Sequence, residues 1–529
     1  MKTSDKLKAP SIISTVGIMM AITLTGKVMG ILRERMLVVN FGTYTAESIA
    51  FTQASLLPRV FLDIMFASVF SASFIPVFNR YLETKGKQAA FDLAARFIKL
   101  LLLITIALTA LFIFFATPIY TFVWGGEALP LETRLLGISL LRIMFPIMVI
   151  SSLAFSLTGI LQSLGQFNIP AAMSVASNGI ILLYYFFFID YFGIYGLAAV
   201  FLLGWSAQVL IQIPFLVKHQ FFKARPKQAR DTEALREIGQ LTLPVMVASW
   251  LGPVNFFINT RASVNLEHGI VAMNTAHTLF IVITGFFVLS LTNVLFPTLS
   301  KLAAHKDWKA YAAFLRSNLR GLMFLLLPMT FGLMAVAEPL IRLFFQGGLF
   351  QEVSVGITAT ALFYFSLGIV GFGMQNVLSR ACFALQDGRG PLIIAVLAMT
   401  INFVLSFTLA PIMGIGGPAL ASAIAISIAG MGFFVRMWQK LPESLWTWAM
   451  TVDTAKMLIL SVAMFLAVRY GLDLISGWFA ANTLLSRVLM VGIPAGLGVV
   501  IYMIGAFILK VPEAKFMVKL ILNKLDKIK

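Results

Sequence analysis

The sequence predicts an all-α polytopic membrane protein with fourteen transmembrane helices, arranged as two parallel six-helix bundles followed by two C-terminal helices. Three observations carry this prediction. Of 529 residues, 59% are hydrophobic and only 12% charged, against about 25% charged in an ordinary soluble domain, and the mean hydropathy is +0.92. The basic residues lie between apolar runs. Landmarks of the first half also recur at one fixed spacing in the second. The composition excludes a soluble globular enzyme.

A hydrocarbon core of about 30 Å needs roughly 20 apolar residues per helix. Runs of that kind lie at 11–41, 50–79, 92–118, 136–163, 170–190, 194–217 and 238–262 (spans 1 to 7). Spans 8 to 14 follow at 270–299, 317–340, 356–384, 391–411, 415–437, 454–472 and 485–509. Lys2, Lys6 and Lys8 before span 1 imitate a signal peptide, but the apolar run is too long and lacks a small-x-small cleavage site. Span 1 is therefore read as a retained helix. No span alternates with period two, which disfavours a β-barrel.

The formal net charge of +18 would suggest nucleic acid in a soluble chain; here it follows topology. With the N-terminus inside, 30 of the 40 basic residues fall in inside segments, and Arg134, Arg261, Arg342, Arg469 and Arg487 are the outside ones. By the positive-inside rule both termini are cytoplasmic, and no nucleic-acid partner is expected.

One ungapped offset places Pro76 on Pro297, Leu164 on Leu385, Pro170 on Pro391, Gly193 on Gly414 and Gly196 on Gly417. Spans 1 to 6 thus map onto spans 7 to 12, and because six is even the halves share one orientation, related by an axis along the membrane normal. The predicted boundaries are 1–217 for the first bundle, 218–237 for a basic cytoplasmic linker and 238–440 for the second bundle. Spans 13 and 14 occupy 441–510, and 511–529 forms an amphipathic, lysine-rich cytoplasmic tail lying on membrane phospholipids.

A lone Cys382 and four scattered histidines give no disulfide and no metal-ligand spacing. HExxH, GxSxG and Walker A patterns are absent, so no catalytic residue, cofactor or enzymatic role is expected. Charge inside helices is the stronger signal, since a Lys or Arg near the bilayer centre costs roughly 2.5 to 3.5 kcal/mol. Lys27, Arg33 and Arg35 on span 1, Arg59 on span 2 and Arg142 on span 4 all lie in the first half, with only Glu34 and Asp63 nearby. The excess predicts a wet cationic cavity for an anionic ligand.

Arg59 and Asp63, four apart, also suit an ion pair, Arg35 suits snorkelling to an interface, and Arg142 an interface anchor. Lys27 and Arg33 lie nearest mid-membrane. Gly26 and Gly30, at GxxxG spacing, suit close helix packing or a bend beside Lys27. Asn178, Asn255, Asn259, Gln375, Asn376 and Asn402 suit interhelical hydrogen bonds, and His277 either a satisfied core position or a group titrating near neutrality.

GKVMGILRE at 26–34, LLPRVFLDIMFASVFSASFIPVFNRY at 56–81, LFPTLSKL at 295–302, LFFQGGLF at 343–350 and SRACFALQDGRGP at 379–391 together resemble the MurJ/MviN family of lipid II flippases, over nearly the whole chain. The resemblance implies a transporter with two six-helix bundles around a central cationic cavity. Its partners would be a polyprenyl-linked anionic glycolipid and, among proteins, those of cell-wall synthesis. Arg33 matches the arginine of the family's G-x-x-R-[D/E] pattern, and Lys27 stands where the family usually has arginine. The family's acidic residue early on span 2 falls at Ile49, its arginine pair at Leu62 and Asp63, and its span 8 arginine at Thr278 beside His277.

The expected function is alternating-access translocation of lipid II to the outer leaflet of the bacterial cytoplasmic membrane. Lys27, Arg33 and Arg59 would bind pyrophosphate, and Asp63 and His277 are candidates for ion coupling. Alternatives are a flippase for another polyprenyl-linked saccharide, a cation-coupled multidrug exporter of the same superfamily, and a non-transporting scaffold.

Overall fold

The computed structural model describes residues 12–58, 73–125, 129–223, 232–385, 387, 389–476 and 483–515. Arg59 and Asp63 lie outside them, as do the tail from 516 onward and residues 224–231 of the predicted linker. Among the described residues there is no β-strand. Among the described residues nine helices are long and apolar enough to cross a membrane, and a bent pair makes a tenth.

In chain order the helices are α1 Ile12–Phe41, α2 Ala46–Pro58, α3 Ile75–Thr84, α4 Gly86–Phe114, α5 Ala116–Trp124, α6 Leu131–Met144, α7 Ile147–Ser163, α8 Asn168–Phe187, α9 Ile189–Leu210 and α10 Ile213–Lys218. They continue as α11 Thr232–Ala262, α12 Gly269–Ala304, α13 Trp308–Ala335, α14 Ala337–Phe345, α15 Glu352–Ser366 and α16 Ile369–Ala384. The last four are α17 Arg389–Met413, α18 Gly416–Lys440, α19 Trp448–Ser476 and α20 Leu484–Ile508.

Local chemistry sets the ends. Asp307 caps α13 by accepting from the Ala310 N–H, and Thr483 caps α20 by accepting from Ser486 N–H, each satisfying a donor the first turn leaves free. Gly125, at φ 68°, closes α5 in the left-handed conformation that glycine adopts at little cost.

The breaks between helices repeat at the offset found in the sequence or within one residue of it. Phe115 separates α4 from α5, and Val336 separates α13 from α14. Phe145 and Pro146 interrupt span 4, while Leu367 and Gly368 interrupt span 10 with a bend of 45°. Gly193 and Gly414 both have positive φ, 51° and 56°. Duplication of irregular features is more telling than duplication of helices, because an apolar run makes a helix in either half without common descent.

The chain forms two compact units, Met1–Leu37 with Thr45–Val254, and Val38–Tyr44 with Asn255–Lys529. In the first, α2 packs on α6, α4 on α7, and α9 on both α7 and α8, around Trp124, Tyr120, Phe74 and Phe78, which are fully buried. In the second, α18 packs on α16 and α17, and α12 on α15 and α16, around Tyr311, Phe280, Phe345 and Phe365. Phe122, Phe186, Leu103, Ile393 and Ile459 are exposed, as expected of a surface solvated by lipid.

Helices α19 and α20 are fastened to the second unit. Arg320 on α13 donates to Asp453 at 3.0 Å and to Glu513 at 2.7 Å. The Tyr502 hydroxyl donates to the Phe324 carbonyl at 3.0 Å, and Arg487 to the Gln346 carbonyl at 2.9 Å.

Candidate functional site: a polar cavity in the first unit

The site begins with a close approach of two helices. At Gly26 a Cβ would fall 2.1 Å from Ser174 Oγ and 3.2 Å from Ser174 Cβ, so α1 and α8 meet where glycine leaves room. At Gly30 the nearest atom, Asn178 Nδ2, is 3.7 Å away, an ordinary contact. The geometry thus favours packing as the role of Gly26.

Asn178 on α8 completes the junction. Its Nδ2 donates to the Gly26 carbonyl at 3.2 Å, and its Oδ1 accepts from Arg33 Nη1 at 2.9 Å. Seven residues separate Gly26 from Arg33, two turns of one helix face, so a single amide reaches both. The guanidinium also lies 5.4 Å from the centroid of the Phe201 ring on α9, within cation–π range.

Arg33 and Asn178 open onto a cavity of about 530 Å³ bounded by α1, α7, α8 and α9. Thr158, Gln162, Trp205 and Gln208 also line it. Gln212 braces the wall: its Nε2 donates to the Ala154 and Gln208 carbonyls at 3.1 and 2.9 Å, and its Oε1 accepts from Thr158 at 3.3 Å. A cation, amides, hydroxyls and an indole around one space can bind an anionic group together with a polyhydroxylated one.

The other predicted residues distribute differently. Lys27 is half-buried and makes no hydrogen bond or ion pair with a described residue. It does not line the cavity, since six residues place it about 120° around α1 from Arg33. Glu34 is buried. Arg142 is exposed and donates to Thr117 at 3.3 Å, as an interface anchor would.

In the second unit, Asn402 Nδ2 on α17 donates to the Asn255 carbonyl on α11 at 3.1 Å, and Ser406 donates to Asn259 Oδ1 at 3.0 Å. His277 on α12 stacks on Phe256 with centroids 3.9 Å apart, and lies 5.7 Å from Phe365. Among the described residues no three of His, Cys, Asp and Glu are grouped to hold a metal ion.

Sequence reasoning passed over Thr158, Gln162, Trp205 and Gln208. Their signal was present as polar or amphipathic residues three or four apart on apolar helices, Thr158 with Gln162 and Trp205 with Gln208, each pair sharing a face.

The family model described as "Lipid II flippase MurJ" matches residues 38–490. The chain belongs to the lipid II flippase MurJ family. The probable lipid II flippase MurJ of Treponema pallidum (strain Nichols) is 27% identical over 460 residues, 85% of each chain. The lipid II flippase MurJ of Burkholderia cenocepacia is 25% identical over 419 residues, covering 78% of this chain and 81% of the relative. A solved lipid II flippase MurJ in an inward closed conformation superposes with a TM-score of 0.74 at 21% identity, over 93% of this chain and 98% of that one. An inward-facing multidrug resistance MATE family transporter of the MOP superfamily follows at 0.67 and 16%, over 79% and 97%. At such identities these two structures report the fold.

The segments that resembled the MurJ family acquire structural roles. In GKVMGILRE, Gly26 packs on α8 and Arg33 faces the cavity. In LFFQGGLF, the Leu349 N–H donates to the Val39 carbonyl at 2.9 Å, seating the end of α1. In SRACFALQDGRGP, Asp387 accepts from Arg436 Nε at 2.8 Å, contacts Lys440 Nζ at 3.0 Å and accepts from Gly390 N–H at 3.2 Å. Of the positions departing from the MurJ pattern, Ile49 and Thr278 are half-buried, and Leu62 and Asp63 lie outside the described residues.

Proposed function

We infer that this chain is a flippase that translocates lipid II, the undecaprenyl-pyrophosphate-linked peptidoglycan precursor, from the cytoplasmic to the outer leaflet by alternating access. The observation that carries this reading is the family match along residues 38–490. The protein is a multi-pass component of the bacterial inner membrane, and its substrate is a lipid-linked glycolipid. Translocation is transport, with no bond made or broken.

The residue assignment is part of the proposal. Arg33 holds the pyrophosphate, with Lys27 and Arg59 adding positive charge along its path, and Gly26 and Gly30 set the packing or bending of α1. Supporting this, Arg33 is oriented by Asn178 beside a cavity whose amides and hydroxyls suit the saccharide. The prenyl chain stays in lipid, with spans 13 and 14 beside it. In this reading both termini are cytoplasmic, and the boundaries are 1–217, 218–237, 238–440, 441–510 and 511–529. Phospholipids and cell-wall synthesis proteins are the further partners.

Transport of an anionic headgroup couples to the membrane potential, worth about 2.3 kcal/mol per charge per 100 mV, or to an ion through Asp63 and His277. Replacing His277 by Asn and following transport at several pH values under a fixed potential tests this, since only proton coupling through His277 makes the pH profile flatten.

Complementation tests the whole. A bacterium depleted of its own lipid II flippase should grow when it expresses this chain and fail with Arg33→Ala at matched membrane abundance. Absence of rescue by well-inserted wild-type protein would move the substrate to another polyprenyl-linked saccharide.

A further inference from the structure

A second concave site lies on the outer surface of the first unit, apart from the polar cavity. Lys99, Leu102, Leu103 and Ile106 of α4 form one wall of an open groove of about 310 Å³ that Phe221 also lines. These side chains recur at helical spacing on one face of α4. Lys99 and Leu103 are exposed, and Lys99 makes no hydrogen bond or ion pair with a described residue. Phe222 next to that ring is 59% exposed, as an aromatic anchor at a membrane interface would be.

Positive charge gathers beside Phe221. Phe91 meets Phe221 edge-on with centroids 5.3 Å apart, and Lys87 Nζ lies 5.5 Å from the Phe91 centroid. Lys218 is exposed three residues before Phe221. His219 between them is held below its ordinary pKa by burial and by the nearby Lys87 and Lys218 charges. The groove therefore runs from a cationic rim at the membrane surface to an apolar floor facing lipid, the polarity of a glycerophospholipid.

We propose that this groove is a binding site for an anionic phospholipid, whose phosphate rests on Lys99 and whose acyl chain lies over Leu102, Leu103 and Ile106. An apolar groove gains little by preferring one acyl chain over the surrounding ones, because lipid tails are as apolar as leucine. Selectivity comes from the headgroup: Lys87, Lys99 and Lys218 attract a lipid with net negative charge over a zwitterionic one. The site is independent of which anionic substrate occupies the polar cavity.

Native mass spectrometry on the full-length, delipidated protein titrated with phosphatidylglycerol or phosphatidylcholine tests this. Wild type should hold one phosphatidylglycerol about fivefold more tightly than phosphatidylcholine. Lys99→Glu should remove that preference and Lys99→Arg keep it, with unchanged melting because Lys99 bonds to nothing described. Ala95→Trp, which fills the groove, should remove the bound lipid of either kind. Equal affinity of wild type for the two lipids, or a preference unaltered in Lys99→Glu, would overturn the proposal. So would displacement of the bound lipid by glycerol phosphate alone, which would leave the apolar floor without a role.

Discussion

Arg33 Nη1 donates to Asn178 Oδ1 at 2.9 Å, and the same asparagine donates through Nδ2 to the Gly26 carbonyl. The group that orients the cation is also the staple between α1 and α8. In the second half Asn402 donates to the Asn255 carbonyl in the corresponding pair of spans, but Ser406 rather than an arginine donates to its Oδ1, at 3.3 Å. The offset that pairs Pro76 with Pro297 carries Asn178 to Met399 and Gly26 to Val247, so the halves share an asparagine bridge between the same pair of spans but not its position, and the first adds a charge to it. That asymmetry is what a duplicated scaffold needs if one half carries an anion site.

Two substitutions separate the roles. Arg33→Gln keeps a donor toward Asn178 and removes the charge, so melting should change by less than about 1 kcal/mol while growth of flippase-depleted cells is lost. Asn178→Leu removes the second donor to the Gly26 carbonyl, which keeps its helix bond, and takes the Oδ1 acceptor from Arg33, at a cost of about 1 to 3 kcal/mol, read as lower thermal stability in detergent. Full rescue by Arg33→Gln would remove Arg33 from the substrate site.

Gly26 and Gly30 look alike in the sequence and differ in the structure. Gly26→Val forces α1 away from Ser174 and should destabilise by about 1 to 3 kcal/mol, with partial recovery in the Gly26→Val, Ser174→Gly double variant. Gly30→Ala makes an ordinary contact and gains helix propensity, so stability should hold or rise. If Gly30→Ala abolishes transport while its melting stays normal, Gly30 serves motion rather than packing.

The helices were legible in the sequence because twenty apolar residues in lipid can satisfy their backbone only as a helix. The register of the duplication was legible too, since Pro76 and Pro297 or Gly193 and Gly414 mark places where backbone geometry restricts the residue. The cavity was legible only in part. Arg33 announced itself as a charge in an apolar run, but its divergence from Lys27 follows from which face of α1 meets α8, and Ser174 gives no sign of that. Trp205 and Gln208 were ordinary polar interruptions until α9 was seen beside α7 and α8.

Asp387 makes a pH-dependent prediction. Arg436 first, then Lys440 and the Gly390 N–H, hold its carboxyl below the ordinary value of 3.8, against the opposing effect of burial. A carboxylate lowered in the folded state contributes stability that is complete above the unfolded value and lost as pH falls through the folded one. Wild-type melting should therefore show no loss from this group between pH 5 and 8, by the usual unfolded range of about 4, and should lose it below that. Asp387→Asn should melt lower than wild type at pH 7, with the difference shrinking in acid. A difference that stays constant down to the acid limit would show that the ion pairs contribute nothing.

The end of α1 gives the last prediction. Val38–Tyr44 belong to the second unit although the rest of α1 belongs to the first, and their seat is built from backbone. Gly348 has φ 51°, and a Cβ there would stand 2.3 Å from the Val39 carbonyl oxygen, the atom that accepts from Leu349 N–H. Thr43 adds contacts of 2.5 Å to His268 Nδ1 and 2.8 Å to Ser354 Oγ. A carbonyl fixed in a helix cannot rotate aside as a serine hydroxyl can, so Gly348→Ala should incur left-handed strain of about 1 to 2 kcal/mol and also break the seat. Gly86→Ala is the control, since Gly86 has φ 83° with nothing within 4 Å and incurs the strain alone. Gly348→Ala should melt lower than Gly86→Ala and expose the Leu349 amide to hydrogen exchange; equal melting of the two would mean that the seat yields without cost and that α1 ends free.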